Sequence, residues 1–341
     1  MEQQHKRRPR YKGTHPRRFE DKYKELNPEK YQEDVHKIIS QGKTPAGMHI
    51  PIMVDEILEV LRIQPGQIGY DATLGYGGHT SRMLAQLQGQ GHLFATDVDP
   101  IESEKTRQRL ADQGYGPELL TIKRMNFARL DEVSPERKFD FVLADLGVSS
   151  MQIDNPQRGF TFKQDGPLDL RLDPTAGVTA AQRLMELSQD ELAAMLEENS
   201  DEPYADEIAQ AICAALPIQT TRQLYAVIEK ALSFLPQKDR KTELRKSCQR
   251  TFQALRIDVN SEFEVLYAFL EKLPGVLNPG ARVAILTFHS GEDRLVKKAF
   301  KEGLRNGDYS SISDGVIRPS GEECFRNSRA HSTKLRWAIK A

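Results

Sequence analysis

Short apolar runs alternate with amphipathic stretches along much of the chain, and this alternation limits the fold more than any other feature. Strand-like runs cover 68–74, 92–98, 119–125 and 139–146, and helical patterns lie between the first of them. Strands separated by helices of about 10–15 residues indicate βαβ units with parallel strands. The sequence therefore predicts an α/β fold with a doubly wound, mostly parallel sheet.

The alternation stops after residue 150. From about 175 to 250 every periodic stretch is helical, and 252–273 has the pattern of one further long helix. A block of helices within an α/β chain is typical of an inserted domain. We therefore expect an all-helical insert at 151–250 that serves in substrate recognition.

Strand patterns return near the end of the chain, at 281–288 and 334–340. We therefore expect the sheet-containing core to consist of 46–150 and 251–341. The chain has 341 residues, of which 38% are hydrophobic, and this is enough for a substantial apolar core. No run of about 18 apolar residues is present, so a membrane-spanning helix is not expected.

The first 45 residues lack apolar periodicity and are predicted to form a basic, flexible arm. Residues 1–24 contain nine Lys or Arg, three acids and three aromatic residues. Such a segment can neutralise phosphates and stack on bases, or it can be a solvated tail. No apolar segment follows the basic residues, so a secretory signal is not indicated and a cytoplasmic protein is expected.

Three cysteines, Cys213, Cys248 and Cys324, are widely separated. Their odd number and spacing indicate reduced thiols rather than a disulfide framework. No Cys-x-x-Cys or Cys/His pair has the spacing of metal ligands, so no metal site is predicted.

A glycine-rich segment, DATLGYGGH at 71–79, joins the first predicted strand to the first helix. Glycines allow a sharp turn and bring a ligand against backbone N–H groups at a helix N-terminus. Dinucleotide enzymes use the same device, but Asp71 would repel a pyrophosphate and attract the ammonium of a methionine group. Asp97 ends the second strand, where it can accept hydrogen bonds from ribose hydroxyls. The pattern favours an adenosyl cofactor, and a purely structural turn is the alternative.

Asp145 ends the fourth predicted strand and is followed by the sequence LGVSS. Ligands of doubly wound sheets bind beyond the carboxyl ends of the strands, so Asp145 should lie over the cofactor. A base amine is a poor nucleophile, and a carboxylate that accepts its N–H can localise the lone pair and take up the proton. Asp145 is therefore predicted to be catalytic, with Ser149 and Ser150 beside it. The alternatives are a capping acid and two simple turn residues.

Six further residues are candidate substrate contacts: Arg158, Phe160, Arg256, Asn260, His289 and Ser290. Arg158 could bind a phosphate beside a base that has left its stack, or it could be a surface residue. Phe160 could stack on a base or belong to the core. Arg256 and Asn260 share a helix face, which indicates either the cleft or an exposed pair. His289 follows a strand end, and it could face the substrate or be structural.

Seven segments occur in order along the chain: GYDATLGYGGHT, TDVDP, ADLGVSSMQID, RGFTF, GPLDLRLD, TFQALRIDVNSE and TFHSGEDRLVK. Together, over roughly 49–339, they resemble the RsmH (MraW) family of small-subunit rRNA cytosine N4-methyltransferases. The resemblance implies a class I methyltransferase core with a helical insert, and S-adenosylmethionine as cofactor. It also implies a decoding-centre cytidine of ribosomal RNA as substrate, within an assembled or assembling small subunit. A homodimer is left open.

The resemblance also implies site residues by motif position. Together with Asp71 and Gly75 of the loop, the cofactor contacts are expected to be Gly77, Gly78, His79, Asp97, Phe127, Asp145 and Gln152. Asp97 would hold the ribose, and Phe127 would pack beside the adenine.

The chain departs from the family pattern at three places. The family usually has SFHSLEDR where this chain has TFHSGEDR at 287–294, and Gly-Glu-Glu where it has SDEP at 200–203. The tail at 327–336 also differs. Because these departures lie in the RNA-facing half, a paralogue with another target nucleotide is an alternative, and so is an RNA-binding assembly factor without turnover.

Overall fold

The structure is a computed structural model that describes residues 51–134 and 136–341. Residues Pro51–Ala341 form one compact unit. The predicted basic arm at 1–45 lies outside the described residues. Within the described part of the chain, no helix is long and apolar enough to cross a membrane.

A seven-stranded sheet forms the centre of the molecule. Its strands are β1 (Ile68–Asp71), β2 (His92–Asp97), β3 (Leu120–Arg124), β4 (Phe139–Asp145), β5 (Leu277–Thr287), β6 (Tyr309–Ile312) and β7 (Lys334–Lys340). Their order is β3-β2-β1-β4-β5-β7-β6, and only β7 runs antiparallel to its neighbours. The predicted α/β fold with a doubly wound, mostly parallel sheet is confirmed.

Helices flank the sheet, and the chain between the end of β4 and the start of β5 is mostly helical. They are α1 (Val54–Leu61), α2 (Gly78–Leu87), α3 (Pro100–Asp112), α4 (Ser150–Asp154), α5 (Ala180–Glu186), α6 (Gln189–Ser200), α7 (Ala205–Ala215), α8 (Thr221–Ala231), α9 (Gln237–Asn260), α10 (Glu262–Lys272), α11 (Ser290–Asn306) and α12 (Gly321–Arg326). Capping boxes at Ser188 and Thr220 begin α6 and α8, where the side chain and a residue three positions on satisfy each other's backbone N–H groups.

The prediction of one helix over 252–273 is wrong. The chain breaks at Ser261, whose φ of 48° is left-handed, and α9 begins well before the predicted start. Apolar periodicity continues on both sides of the break, so the sequence pattern gives no sign of it. The short polar strand β6 was also not predicted.

The two faces of the sheet and the helical region each have an apolar core. Side chains of β4 alternate between the faces, with Val142 in one cluster and Leu143 in the other. Helices α5 to α9 enclose a third cluster that includes Leu192, Ile208 and Leu255. The predicted insert ends at residue 250, which lies in the middle of the continuous helix α9. The structure therefore does not mark that boundary, and the bounds of the insert stay a prediction.

The strand order places the switch point between β1 and β4. Asp71 pairs with Leu143 in this register, and Asp145 pairs with Leu286 of β5. The carboxyl ends of three strands therefore lie side by side, and in such sheets this edge is where ligands bind.

Candidate active site

The glycine-rich loop after β1 is held by Asp71, the last residue of the strand. The Thr80 hydroxyl donates to Oδ2 at 2.7 Å, and the Thr73 N–H donates to Oδ1 at 3.1 Å. Asp71 is only 1% exposed, and burial raises the pKa of its carboxyl. Both oxygens therefore serve the loop, which gives Asp71 a definite part in shaping it; a contact with a methionine ammonium stays a prediction.

The two loop glycines that begin α2 allow close packing. Gly77 has a left-handed φ of 75°, and a Cβ there would lie 2.7 Å from Cγ2 of Thr106 on α3. At Gly78 a Cβ would lie 3.0 Å from Cγ of Pro51. A side chain would be strained at the first position and tight at the second. The two glycines therefore let the loop backbone at the start of α2 pack closely against Thr106 of α3 and against Pro51.

Asp97 at the end of β2 is joined to this loop. Its carboxylate accepts hydrogen bonds of 2.8 Å from the N–H groups of Gly75 and Asp99. Burial raises the pKa of Asp97 to about 6. The structure thus brings together Gly75 and Asp97, two of the residues that the sequence assigned to the cofactor.

Asp145 at the end of β4 faces His79 at the start of α2. Oδ2 of Asp145 lies 3.4 Å from Nε2 of His79, and the Asp145 N–H donates to the Thr73 hydroxyl at 2.7 Å. Oδ1 of Asp145 and Nε2 of His79 are both buried and have no hydrogen-bond partner among the described residues. An unpaired carboxylate oxygen therefore lies beside the cofactor loop, at the switch point of the sheet.

Ser149 and Gln152 form the capping box of α4. The Ser149 side chain accepts from the Gln152 N–H at 3.2 Å, and the Gln152 amide oxygen accepts from the Ser149 N–H at 2.9 Å. The amide nitrogen of Gln152 donates to Asp99 at 3.1 Å. This geometry favours the turn-residue interpretation of Ser149, and it places Gln152 between the loop after β4 and α3.

Arg158 is a buried residue, so the alternative of a surface arginine is wrong. Its Nη1 lies 2.6 Å from Oδ2 of Asp99, and its Nη2 donates to the carbonyls of Arg171 and Leu172. The side chain of Arg158 is 9% exposed and that of Asp99 is 1% exposed. These contacts favour a structural role for Arg158, and the predicted contact with a phosphate stays a prediction.

Two aromatic candidates lie at the edges of apolar cores. Phe160 is half-buried against the helical cluster, with the Arg158 guanidinium 5.9 Å from its ring centre. Phe127 begins a short 3-10 helix after β3 and packs edge-on at 5.3 Å against Phe269. Both rings remain partly accessible, so neither predicted stacking contact is tested by this packing.

Arg256 and Asn260 are half-buried, so the alternative of an exposed pair is wrong. Arg256 makes a two-pronged ion pair with Glu262, at 2.8 and 2.9 Å. The Asn260 amide accepts from the Leu172 N–H at 2.7 Å and donates to the Leu170 carbonyl at 2.8 Å. Asn260 thus holds the loop that also receives Arg158.

His289 and Ser290 follow β5 at the same edge of the sheet. Nε2 of His289 lies 3.2 Å from Oε1 of Glu292, and Ser290 is exposed. Burial opposes ionisation of Glu292, yet contacts with His289 and Arg256 hold the pKa of this carboxyl below its usual range. Polar groups therefore line the edge beyond β5 as well.

Glu262, His289 and Glu292 could be read as metal ligands, since one ligand atom of each lies within 4.8 Å of the others. However, both carboxylate oxygens of Glu262 are held by Arg256. A cation there would lie against the guanidinium charge. The geometry favours an ion-pair network.

Sequence reasoning missed Asp99, Glu262 and Glu292. Asp99 is fully buried, caps α3 and binds both Arg158 and Gln152. An Asp-Pro pair before a helix was the signal that could have identified the cap.

No local pattern identifies Glu262, because its partner Arg256 lies on the preceding helix. Glu292 contacts His289 three positions before it and accepts from the Phe288 N–H, so an acid in the first turn of a helix was its local signal.

Comparison with known proteins gives the family. The sequence profile of the MraW methylase family matches residues 46–341. The chain belongs to this family. It is accordingly an S-adenosylmethionine-dependent methyltransferase of the class I type, and the family resemblance seen in the ordered motifs is confirmed.

Several curated relatives match over nearly the whole chain. "Ribosomal RNA small subunit methyltransferase H 1" of Agathobacter rectalis is 64% identical, covering 100% of this chain and 99% of its own length. The H 2 protein of Alkaliphilus metalliredigens is 60% identical with the same coverage. The methyltransferase H of Koribacter versatilis is 38% identical, over 86% of this chain and 94% of its own.

Proposed function

We propose that this methyltransferase transfers the methyl group of S-adenosylmethionine to the exocyclic N4 of a cytidine in small-subunit ribosomal RNA. The observation that carries the proposal is Oδ1 of Asp145, which is buried at the switch point of the sheet and has no hydrogen-bond partner among the described residues. The names of the relatives, which are ribosomal RNA small subunit methyltransferases, support the choice of RNA.

The residues around the switch point fit the cofactor. The cofactor would lie against the backbone N–H groups at the start of α2, where Gly77 has a left-handed φ of 75°. Asp97 would accept hydrogen bonds from the ribose hydroxyls, and Phe127 would pack beside the adenine. Gln152 would close the pocket from the side of α4, and Asp71 would support the loop near the methionine end. The bound cofactor supplies an electrophilic methyl group on a sulfonium.

Asp145 would receive the substrate amine. Its Oδ1 would accept one N4 proton, which localises the nitrogen lone pair toward the methyl group. As the N–C bond formed and the S–C bond of the cofactor broke, the nitrogen would lose that proton to the Asp145 carboxylate. The products are N4-methylcytidine, S-adenosylhomocysteine and a proton that passes to solvent. No covalent enzyme intermediate is needed, since the transfer is a direct in-line displacement.

The target base would enter from the side of β5. A base must leave its stack to reach a methyl donor held at a strand edge. His289 and Ser290 lie at that edge, and the Arg256–Glu262 pair and Asn260 fix the neighbouring loop. We assign direct contact to His289 and Ser290, and an indirect, shaping part to the others. Arg158 and Phe160 would support the packing beside the site rather than bind a phosphate.

We infer that the substrate is ribosomal RNA within an assembled or assembling small subunit, which implies action in the cytoplasm. Homodimer formation is a separate expectation, to be checked by sedimentation of the full chain.

A methyl-transfer assay tests the proposal. The full chain and methyl-labelled S-adenosylmethionine would be incubated with small subunits, large subunits or naked ribosomal RNA from a strain that lacks the gene. Asp145→Ala would remove the acceptor, and Asp112→Asn at the exposed end of α3 would be the matched control. We expect label in small-subunit RNA with the wild type and the control, and none with Asp145→Ala.

Other outcomes separate the alternatives. Label only in large-subunit RNA would keep the chemistry and change the target, as expected of a paralogue. Tight cofactor binding without label on any RNA would favour an assembly factor without turnover.

A further inference from the structure

Nε2 of His79 faces Oδ2 of Asp145 beside the glycine-rich loop, at the switch point of the sheet. Nε2 of His79 lies 3.4 Å from Oδ2 of Asp145, and their side chains are 9% and 24% exposed. Neither Nε2 of His79 nor Oδ1 of Asp145 has a hydrogen-bond partner in the part of the chain that the structure describes. Buried polar atoms are nearly always paired, so exceptions of this kind point to a ligand or a catalytic role.

Both side chains are mounted on well-fixed backbone. His79 is the second residue of α2, and the next residue, Thr80, anchors this turn through its bond to Asp71. The Asp145 backbone is fixed by its hydrogen bond to Thr73. A separation of 3.4 Å is slightly longer than a hydrogen bond, so a small side-chain rotation would close it. The charged groups that face His79 are Asp71 on β1 and Asp145 on β4.

We propose that His79 is a positioning residue for methyl transfer: its Nε2–H donates to Oδ2 of Asp145, so that Oδ1 is held toward the substrate amine. This inference rests on the proposed function, in which Asp145 accepts the amine proton. The motif resemblance gives His79 a contact with the cofactor, whereas the geometry gives it a second task toward Asp145.

The hydrogen bond has two consequences for the reaction. It fixes the carboxylate, because a carboxylate held by one oxygen can rotate less freely. It also engages Oδ2 of Asp145, so that Oδ1 is the carboxylate oxygen left to accept the N4 proton of the substrate. Removal of the donor on His79 should therefore slow methyl transfer.

Two variants of the full chain test the role of His79. His79→Leu removes the donor at similar volume, and His79→Gln keeps an N–H donor. Single-turnover rates on small subunits would be measured at one neutral pH, with S-adenosylhomocysteine affinity by calorimetry and folding by circular dichroism. His92→Gln, at the start of β2 and away from the switch point, is the matched control for loss of a histidine.

We expect His79→Leu to lower the rate at least about 100-fold while cofactor affinity changes less than about threefold. His79→Gln should keep most of the rate, because its amide N–H can still donate to the Asp145 carboxylate. A His79→Leu rate within about threefold of the wild type would overturn the inference. So would a loss of rate matched by an equal loss of cofactor affinity, because His79 would then act only through the cofactor.

A measurement on the wild type covers the case in which the leucine variant does not fold. Nitrogen-15 spectra of the histidine rings, with His79 assigned from His79→Gln, should show the Nε2–H form and an Nε2 resonance that moves in Asp145→Asn. The Nδ1–H form with an unmoved Nε2 resonance would contradict the inference. A wild type that transfers no methyl group at all would instead refute the proposed function, which distinguishes the two failures.

Discussion

Arg158 and Asp99 form a buried ion pair in which Nη1 lies 2.6 Å from Oδ2. Asp99 also caps α3, and Gln152 donates to the same carboxylate. The buried carboxylate of Asp99 therefore joins α3, α4 and the segment that carries Arg158. The packing of these three parts depends on the Arg158–Asp99 pair, although neither residue needs to touch the substrate.

Removal of Arg158 should destabilise the protein strongly. Arg158→Met keeps the length of the side chain but leaves the Asp99 carboxylate buried without its counter-charge, which typically costs about 3–5 kcal/mol. The free energy of unfolding in urea measures this loss. Arg129→Met, which breaks an exposed pair with Glu132, is the control and should leave the free energy of unfolding almost unchanged. Equal small losses of unfolding free energy in both variants would show that the Arg158–Asp99 pair is not essential to this packing.

Asp97 should make stability depend on pH. Burial raises the pKa of this carboxyl to about 6 in the folded protein, against about 3.9 in an unfolded chain. The folded state therefore holds the proton more tightly. The stabilisation is complete below about pH 4 and is lost as the pH rises through about 6, at most about 3 kcal/mol in total.

Asp97→Asn removes this titration. Urea unfolding from pH 4 to 7.5 should show the wild type losing stability with rising pH relative to Asp97→Asn. Asp112→Asn, an exposed substitution, should follow the wild type. Parallel curves for the wild type and Asp97→Asn would mean that the carboxyl titrates as in the unfolded chain.

Gly291 should tolerate a side chain only if Phe263 gives way. A Cβ at 291 would lie 2.5 Å from Cζ of the Phe263 ring, which also packs 5.8 Å from the His289 ring. Gly291→Leu, the residue that the family usually has here, should therefore cost about 1–3 kcal/mol and displace His289. The melting temperature and the methyl-transfer rate should both fall.

A second substitution tests the cause. Phe263→Ala combined with Gly291→Leu should recover part of both losses, because the cavity of one change receives the side chain of the other. Additive losses in a double-mutant cycle would mean that the two positions do not compete for the same space.

The spacing of apolar residues and the glycines typical of turns were enough to predict most of the sheet and the cofactor loop. β2, β4 and β7 are apolar runs with clear ends, and glycines mark the turn before α2. The side-chain partners were beyond reach. Arg158 meets a carboxylate 59 positions away, and Asn260 holds a backbone 88 positions away. Such pairs form only after the chain is folded, so a pattern that reads neighbours along the sequence contains no trace of them.

The same limit explains the one misread helix. Ser261 breaks the predicted span with a left-handed backbone, yet its neighbours keep the apolar spacing of a helix on both sides. The break turns Glu262 back toward Arg256, and this ion pair across the turn stabilises it.

The most direct measurement is the identity of the methylated nucleoside. Small subunits from a strain that lacks the gene would be treated with the full chain and trideuteromethyl S-adenosylmethionine, and their RNA would be digested and analysed by mass spectrometry. The account predicts trideuterated N4-methylcytidine, present with the wild type and absent with Asp145→Ala. Label on a ring carbon, a ribose hydroxyl or another base, or N4-methylcytidine that persists without Asp145, would contradict it.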